Sequence, residues 1–536
     1  MTMNDYEELD KGLTPKQAWQ CLSEYRQLYY RHCAAEYSGD DLHLRETSMP
    51  KAFWARPGKQ KIHVPVAADI AATSADLLFG EEVKLTCVDE KECDNSEVAK
   101  AAQSRLEEIA RKNNLHALLN EAAESCSALG DVYLKIGWDR NDARQCPTVQ
   151  VGQGDAAWPE YRFGKLCAIH FFSNLRVLKN PAGDKAVVLW AYERYEPGRI
   201  VTRIFRGSES DLGEDMGDEA LAVLGIAPEV LLSTREMAAV HIPNIRPNRL
   251  LRGSMMGRSD FDGLRGLMDA LDEAYSSWLR DIRLAKARLI VPVEYLRRKS
   301  SDLFPDDREA PPMFEFDEDV ETLCALDSDP DKVGANAITP SQFAIRADEH
   351  QKTCEDLITQ IVTRAGYAPQ TFGLNIEGLA QSGTALNIRE KKSLKTCGKK
   401  QAYWHDALEG LLTVILRIDA EQFPGKGSAG NVHVHVRFAD AFASDISTNA
   451  VALELLNRAD AASTEVKVRM LHPDWMGKEI MEEVARIREE KGIGEALPDP
   501  LTGDFAAVRH AEDISGNAPD RPQDGAADAR EGTEDD

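Results

Sequence analysis

Residues 338–366, ITPSQFAIRADEHQKTCEDLITQIVTRAG, are followed by YAPQTFGLNIEGLAQSG (367–383) and then by TALNIREKKSLKTCGKKQAYWHDALEGLLTVILRIDAEQF (384–423). This stretch reads as two long helices joined by a turn that no helix can cross. Thr339-Pro340 suits a helix start, an N-cap residue followed by proline in the first turn. Phe343, Ala347, His350, Cys354, Leu357, Ile361 and Ala365 recur at steps of three or four and share one stripe. Gly366 fits a left-handed helix end, and Pro369 blocks continuation. The second helix is expected from about Ser382 or Thr384 to Asp419, with Trp404, Leu408, Leu411, Ile415 and Ile418 as its apolar seam.

A third rod lies upstream. Leu264, Leu267, Leu271, Ala274, Trp278, Ile282 and Ala285 recur at helical steps, which predicts a helix from Asp260 to about Arg288. At ~1.5 Å per residue it would span roughly 43 Å. Between this rod and Thr339 the character changes. A strand-like run, Leu289 to Val293, leads to basic Arg297-Arg298-Lys299, a proline-rich stretch from Pro305 to Pro312, and an acidic one from Glu315 to Glu321. A small module at the tip of two antiparallel rods is the simplest geometry.

Elsewhere, helices are expected over Thr14–Tyr37, Pro65–Phe79, Glu97–Lys112 and Leu115–Leu129, three of them closed by Gly39, Gly80 and Gly130. Strands are expected at Val83–Val88, at Val132–Trp138 by alternation, at Leu166–Phe172, Ala186–Tyr195, Ile200–Phe205 and Ala239–Pro243, and at Val432, Val434 and Val436. Ser208–Asp218 reads as an acidic loop. Thr448–Leu456, Ser463–Met470 and Gly477–Lys491 are helical by period. From Ala511 nine acids face two arginines, so disorder is expected there.

The chain has 536 residues and a net charge of −26, long enough for two to four domains. No apolar run of membrane-spanning length occurs, and Met1–Lys11 lacks the apolar core of a secretory signal. Ten cysteines without C-x-x-C pairs, several on apolar stripes, read as reduced and buried. The acidic balance argues against a broad basic face that grips nucleic acid.

Active-site signatures fail. There is no phosphate loop, since Gly253 to Ser259 and Gly425 to Ser428 lack its spacing, and no G-x-S-x-G. His433-Val-His435 has no third ligand at metal spacing and reads as the solvent face of a strand, and Cys87 and Cys93 read as unrelated thiols. Neither metal nor cofactor is expected. One charge cluster stands out: Arg389, Lys391, Lys392, Lys395, Lys399 and Lys400. It is either a solvated helix face or a contact to phosphate or to an acidic neighbouring subunit.

Four segments together point to a family: Val64–Ile70 through Leu77-Leu78-Phe79-Gly80-Glu81; Ala128-Leu-Gly-Asp-Val-Tyr-Leu-Lys-Ile136; Gly257-Arg-Ser-Asp-Phe261 with its long helix; and Ser382-Gly-Thr-Ala-Leu386. In this order the chain resembles the portal proteins, or head–tail connectors, of long-tailed bacteriophages. The resemblance runs over roughly residues 14–490; the acidic tail and the Ser208–Asp218 loop lie outside its pattern. It implies an α+β, mostly helical portal fold with wing, stem, clip and crown that assembles as a ring. Carried onto this chain, it implies a wing at 1–257, stem helices at 258–288 and 339–366, and a clip at 289–338. A tunnel loop follows at 367–383, then a long kinked wing helix and strand at 384–439, a crown at 440–498 and an acidic tail at 499–536.

The resemblance also implies a function. Copies would form a ring, usually of twelve, at one capsid vertex. It would pass double-stranded viral DNA without reading its sequence, and dock the terminase large subunit, head–tail adaptors, and the major capsid and scaffolding proteins. Its place is the virion, with assembly in the host cytoplasm and no membrane. Gln370, Thr371, Asn375, Gln381 and Ser382 would line the channel, and Arg297, Arg298, Lys299, Glu315 and Asp317 would meet the partner at the clip. The role is structural, not enzymatic; the alternative is a nuclease-like DNA-processing enzyme of a mobile element.

Overall fold

The computed structural model describes residues 12–48, 52–57, 61–89, 97–178, 186–285, 288–290, 297–299, 313–315, 339–341, 344–374, 383–426, 431–438, 453–459, 461–472, 475 and 477–490. The chain divides into two units, residues 1–442 and 443–536.

The first unit opens with a helical segment that is α-helical over Pro15–Tyr25, widens to a π-turn over Arg26–Tyr30 and resumes over Arg31–Ser38. Thr14 and Gln17 form a reciprocal capping box at its start, and Gly39 ends it with φ +64°. Helices Val66–Phe79, Glu97–Lys112 and Leu115–Leu129 follow as the periodicity predicts.

The strands, in chain order, are β1 (Lys84–Asp89), β2 (Asp131–Gly137), β3 (Thr148–Gln153), β4 (Ala157–Arg162), β5 (Lys165–Leu178), β6 (Val187–Glu196), β7 (Arg199–Gly207), β8 (Glu214–Asp215), β9 (Glu229–Leu231), β10 (Ala239–Pro243), β11 (Arg288–Ile290), β12 (Arg297–Lys299), β13 (Met313–Glu315), β14 (Thr339–Ser341) and β15 (Val432–Arg437). An antiparallel six-stranded sheet runs β4-β5-β6-β7-β8, with β9 also on β7; a second sheet runs β10-β2-β3, and β1 pairs with β15. β2 does not alternate between core and solvent. Tyr133 and Lys135 are buried as fully as their neighbours, because β2 is the middle strand of its sheet and its second face meets other elements. Residues 208–218 are not a plain loop either: Glu214–Asp215 adds to the edge of β7, and Asp218–Leu224 is a short helix.

Two apolar clusters fill this unit. In one, Trp404, Leu408, Leu411, Ile415 and Ile418 pack with Phe79, Leu106, Leu119 and the valines of β15. In the other, Trp19, Tyr25 and Tyr30 meet Phe172, Trp190 and Tyr192, together with Met268, Leu271, Cys354 and Ile361. Six of the eight described cysteines are buried and all eight are free thiols.

The first rod is shorter than its periodicity predicts. Its helix spans Arg265–Leu284, 20 residues, or ~30 Å. Residues 260–263 are turns, because Asp260 is held inside the protein and Gly263 has φ +77°. Thr339-Pro340 is not a helix start. It lies in β14, antiparallel to β11 with Leu289 opposite Pro340, and the second rod begins only at Ala347 and ends at Ala365. The residue before proline prefers extended backbone, and that preference wins over capping here. Phe343 lies outside the described residues. The long helix spans Gly383–Gln422, 40 residues.

In the second unit, residues 453–458 are helical, Ser463 caps the helix Thr464–Leu471, and Gly477–Glu490 is a further helix. Val468, Ile480 and Val484 form its core, with Trp475 stacked on His472 at 3.8 Å between centroids. The acidic tail lies outside the described residues. No helix among the described residues is long and apolar enough to cross a membrane.

Candidate functional site

The two rods lie antiparallel. Asp281, near the end of the first, accepts from Arg346 at 2.9 Å and pairs with His350 Nε2 at 3.0 Å, both near the start of the second. One turn earlier Trp278 stacks flat on His350, 6.0 Å between centroids. Beyond the helices the β11–β14 ladder continues the pairing, so the chain leaves and re-enters the hairpin at one tip. β12 and β13 pair inside that excursion, with Arg297 opposite Glu315. The backbone therefore brings Arg297, Arg298, Lys299 and Glu315 together on one ladder; Asp317 lies outside the described residues.

At the other end of the hairpin sits a buried polar node. The Asp260 carboxylate, which is inaccessible to solvent, accepts from Ser127 Oγ at 2.5 Å, Tyr367 Oη at 2.7 Å and Asn244 Nδ2 at 2.8 Å, and is ion-paired to Lys400. Lys400 Nζ also donates to Ser74 Oγ at 2.5 Å and to Tyr367 Oη at 3.0 Å. Burial alone would raise the Asp260 pKa. The Lys400 charge, with the hydrogen bonds from Lys400, Ser127 and Tyr367, outweighs it and holds the group below its usual value. Lys400 thus leaves the basic cluster. It is 1% exposed and cannot touch phosphate from there.

Three of the four segments that carry the resemblance meet at this node. Gly130, at φ +99°, ends its helix, and a β-carbon there would fall 2.8 Å from the backbone of Arg258 and Ser259. One on Gly257 would fall 2.1 Å from the Gly130 carbonyl oxygen. The two glycines let backbones touch, which places Ser127, Asp131 and Asp260 in one pocket of side chains. Asp131 in turn accepts from Tyr30 Oη at 3.0 Å and Gly257 N–H at 2.7 Å, and it pairs with His241 Nε2 at 2.8 Å.

The turn between the second rod and the long helix is anchored, not free. Pro369–Phe372 forms a 3-10 turn closed by Gly373 at φ +73°. Ser393 Oγ accepts from Ala368 N–H at 2.8 Å and shares a hydrogen bond with Thr371 Oγ1 at 2.9 Å. Thr396 Oγ1 donates to Gly366 O at 2.6 Å. Gln370 and Thr371 are half-buried, while Asn375, Gln381 and Ser382 lie outside the described residues. Lys391, Lys392, Lys395 and Lys399 project to solvent at helical spacing, Lys392 donating to Thr363 O; Arg389 lies one turn earlier on the same helix. His433 and His435 face solvent on β15, as their alternation predicts.

Sequence reasoning missed the node because its members lie far apart and each has an innocuous local reading. A lysine in a basic run reads as solvated. The available signal was Asp260 inside Gly257–Phe261, an acid within one of the four segments that carry the resemblance.

A family model described as "Phage portal protein, SPP1 Gp6-like" matches residues 55–493. The chain belongs to that family. The portal assignment spans the node, both rods, the ladder at their tip and the long helix. No curated protein matches the chain. Among solved structures, the portal-family chain resembles one in "Virion of native gene transfer agent (GTA) particle" at 12% identity and TM-score 0.37, covering 83% of this chain and 93% of that one. A chain in "Neck of native GTA particle computed with C12 symmetry" matches at 12% identity and TM-score 0.35, over 81% and 93%. A third, in "Neck of empty GTA particle computed with C6 symmetry", matches at 13% and 0.33, over 76% and 90%.

Proposed function

We propose that this chain is the portal subunit of a tailed-phage-type particle, a structural ring component with no catalytic step of its own. Copies close by rotation into a ring of about twelve at one capsid vertex, an arrangement in which each copy offers one face to its neighbour and a different face to the next. The observation that carries this reading is the family match over residues 55–493. The two antiparallel rods that hold an excursion at their tip support it, because they give the excursion a stiff mount.

In this reading the rods are the stem, residues 289–338 are the clip that meets the terminase large subunit and later the head–tail adaptors, and residues 440–498 are the crown. The wing meets the major capsid and scaffolding proteins. Double-stranded DNA passes through the channel during packaging and ejection. The loop between the second rod and the long helix, with Gln370, Thr371, Asn375, Gln381 and Ser382, lies against that DNA. Short polar groups hydrogen-bond phosphate briefly without tight ion pairs. At −26 per copy, the ring as a whole repels DNA more than it holds it.

Negative-stain imaging and native mass measurement of the purified chain test the ring. Circular particles with a central hole are expected; monomers and dimers alone, across salt and concentration, and also with scaffolding protein present, would refute it. A photo-crosslinker on a cysteine at 370 or 375 tests the channel. Crosslinks to packaged DNA are expected, and few from a control at Glu482.

A further inference from the structure

The two edges of the six-stranded sheet carry opposite charge, and each exposes apolar side chains. At the β4 edge the β4–β5 turn is Phe163-Gly164, with φ of +49° and +79°. A two-residue turn with both residues left-handed normally takes Asn-Gly, because a bulky side chain is crowded there. Phe163 occupies that place with its ring fully exposed, against both conformational preference and burial. The turn lies against residues 244–258: a β-carbon on Gly164 would sit 3.8 Å from Met255 Cε, and Met255 Sδ accepts from Arg246.

Residues 244–258 hold Arg246, Arg249, Arg252 and Arg258 and no acid. Arg249 and Arg252 are exposed, and Arg249 reaches Asp262, donating to its carbonyl oxygen at 3.5 Å and lying 3.8 Å from its carboxylate. The Nε atoms of Arg246 and Arg258 are buried without a hydrogen-bond partner among the described residues. Burial, and then the Arg249 charge, push the Arg258 pKa below its usual value. Four arginines thus meet few acids at this edge, Asp262 being the one beside Arg249.

At the far edge the pattern reverses. Residues 208–228, which carry β8 and the short helix Asp218–Leu224 along β7, contain six acids and no lysine or arginine. Glu209, Glu214 and Glu219 are exposed, and Arg203 of β7 is the cation facing Asp215 and Asp218, at 4.0 and 3.8 Å. Met216, Val223, Leu224 and Ile226 are exposed beside them, Val223 at 85%. Three strands lie between β4 and β8, so the edges are ~19 Å apart at ~4.8 Å per strand.

We propose that these edges are the two halves of one copy-to-copy contact: the Phe163–arginine edge of one subunit docks on the acidic, apolar edge of the next. The inference rests on the ring reading above and names a surface for it. Two copies related by a two-fold axis would set like charge on like, whereas head-to-tail contact sets arginines on acids and repeats around a closed ring. An aromatic residue with arginines, set against apolar groups rimmed by charge, has the composition of an interface centre.

Charge exchange tests it with the full chain. Arg249→Glu/Arg252→Glu and, separately, Glu214→Lys/Glu219→Lys should each raise the protein concentration needed for rings at least tenfold, with melting unchanged. Phe163→Ser should act in the same direction without altering charge. Mixing the two charge variants should restore rings in which they alternate, seen by native mass, because each now fits only the other. Rings forming from each variant as readily as from the parent would overturn the proposal, and so would a folded pair that fails to assemble on mixing. Intact rings that package less DNA would overturn it too, and would place the arginines on nucleic acid. A parent chain that forms no ring would instead remove the reading on which the proposal stands.

Discussion

Lys400 of the long helix is ion-paired to Asp260, 140 residues earlier in the chain, and neither side chain is accessible to solvent. Ser74, Ser127, Asn244 and Tyr367 complete the set, so six separate stretches of chain are fastened at one point. Breaking such a pair from one side leaves a buried charge alone, at a cost of about 3–5 kcal/mol. Lys400→Met should therefore lower stability by about that much in urea titration. Lys400→Met combined with Asp260→Asn should recover part of the loss, because the stranded charge is gone.

The approach of Gly130 and Gly257 gives a second expectation. Gly257→Ala places a methyl group 2.1 Å from a backbone oxygen that has no room to yield. Overpacking of this kind costs about 1–3 kcal/mol or more. Gly266→Ala, where nothing lies within 4 Å, is the control and should be neutral or slightly stabilising in the same titration.

Acid should weaken the first unit through Glu160. Its carboxylate is held down to about 2, chiefly by the hydrogen bond to His170 at 3.4 Å, against the opposing effect of burial and with help from Leu13 N–H and Arg162. Burial lowers the His170 pKa against the opposing pull of Glu160, and Tyr192 Oη lies on its other nitrogen at 2.9 Å. A carboxylate depressed on folding stabilises the protein above its unfolded pKa of about 4.5, and that contribution is lost as pH falls toward 2. It amounts to about 2 kcal/mol once solvent screening is allowed for. Urea midpoints measured from pH 6 to pH 3 should fall less steeply in Glu160→Gln than in the parent.

The ladder of β11 and β14 sets where the tip module is severed cleanly. Replacing residues 291–338 by a short glycine-serine linker keeps the ladder and both rods. Rings should still form, with some loss of stability, and DNA packaging should cease. Capsids that fill normally with this variant would refute the assignment of residues 289–338 as the clip.

The parts of the fold legible in sequence were those whose cause is local. The seam from Trp404 to Ile418 was readable because apolar residues recur at helical steps, and Gly39, Gly130 and Gly366 stop their helices in the left-handed conformation. What failed depended on distant partners. Thr339-Pro340 looked like a cap until β11 offered it a strand. Asp260 looked helical until Lys400 held it in a turn. Of the expected site residues, sequence alone separated none of the basic cluster. Lys391, Lys395 and Lys399 stay in water while Lys400 does not, and the difference is a carboxylate that no local pattern reveals.

The long helix behaves as a cantilever. Beyond Lys400 its apolar seam is cemented into the core of the first unit, and at Lys400 it is clamped by a buried ion pair. The first seventeen residues, 383–399, form an arm of ~25 Å on the near side of that clamp, braced at Ser393 and Thr396 against the preceding turn. Load applied at residue 383 therefore reaches the core at Cys397 and Lys400, where the helix is held. A push on that end of the helix would thus turn a stiff rod about its clamp, with Lys400 and Asp260 as the pivot.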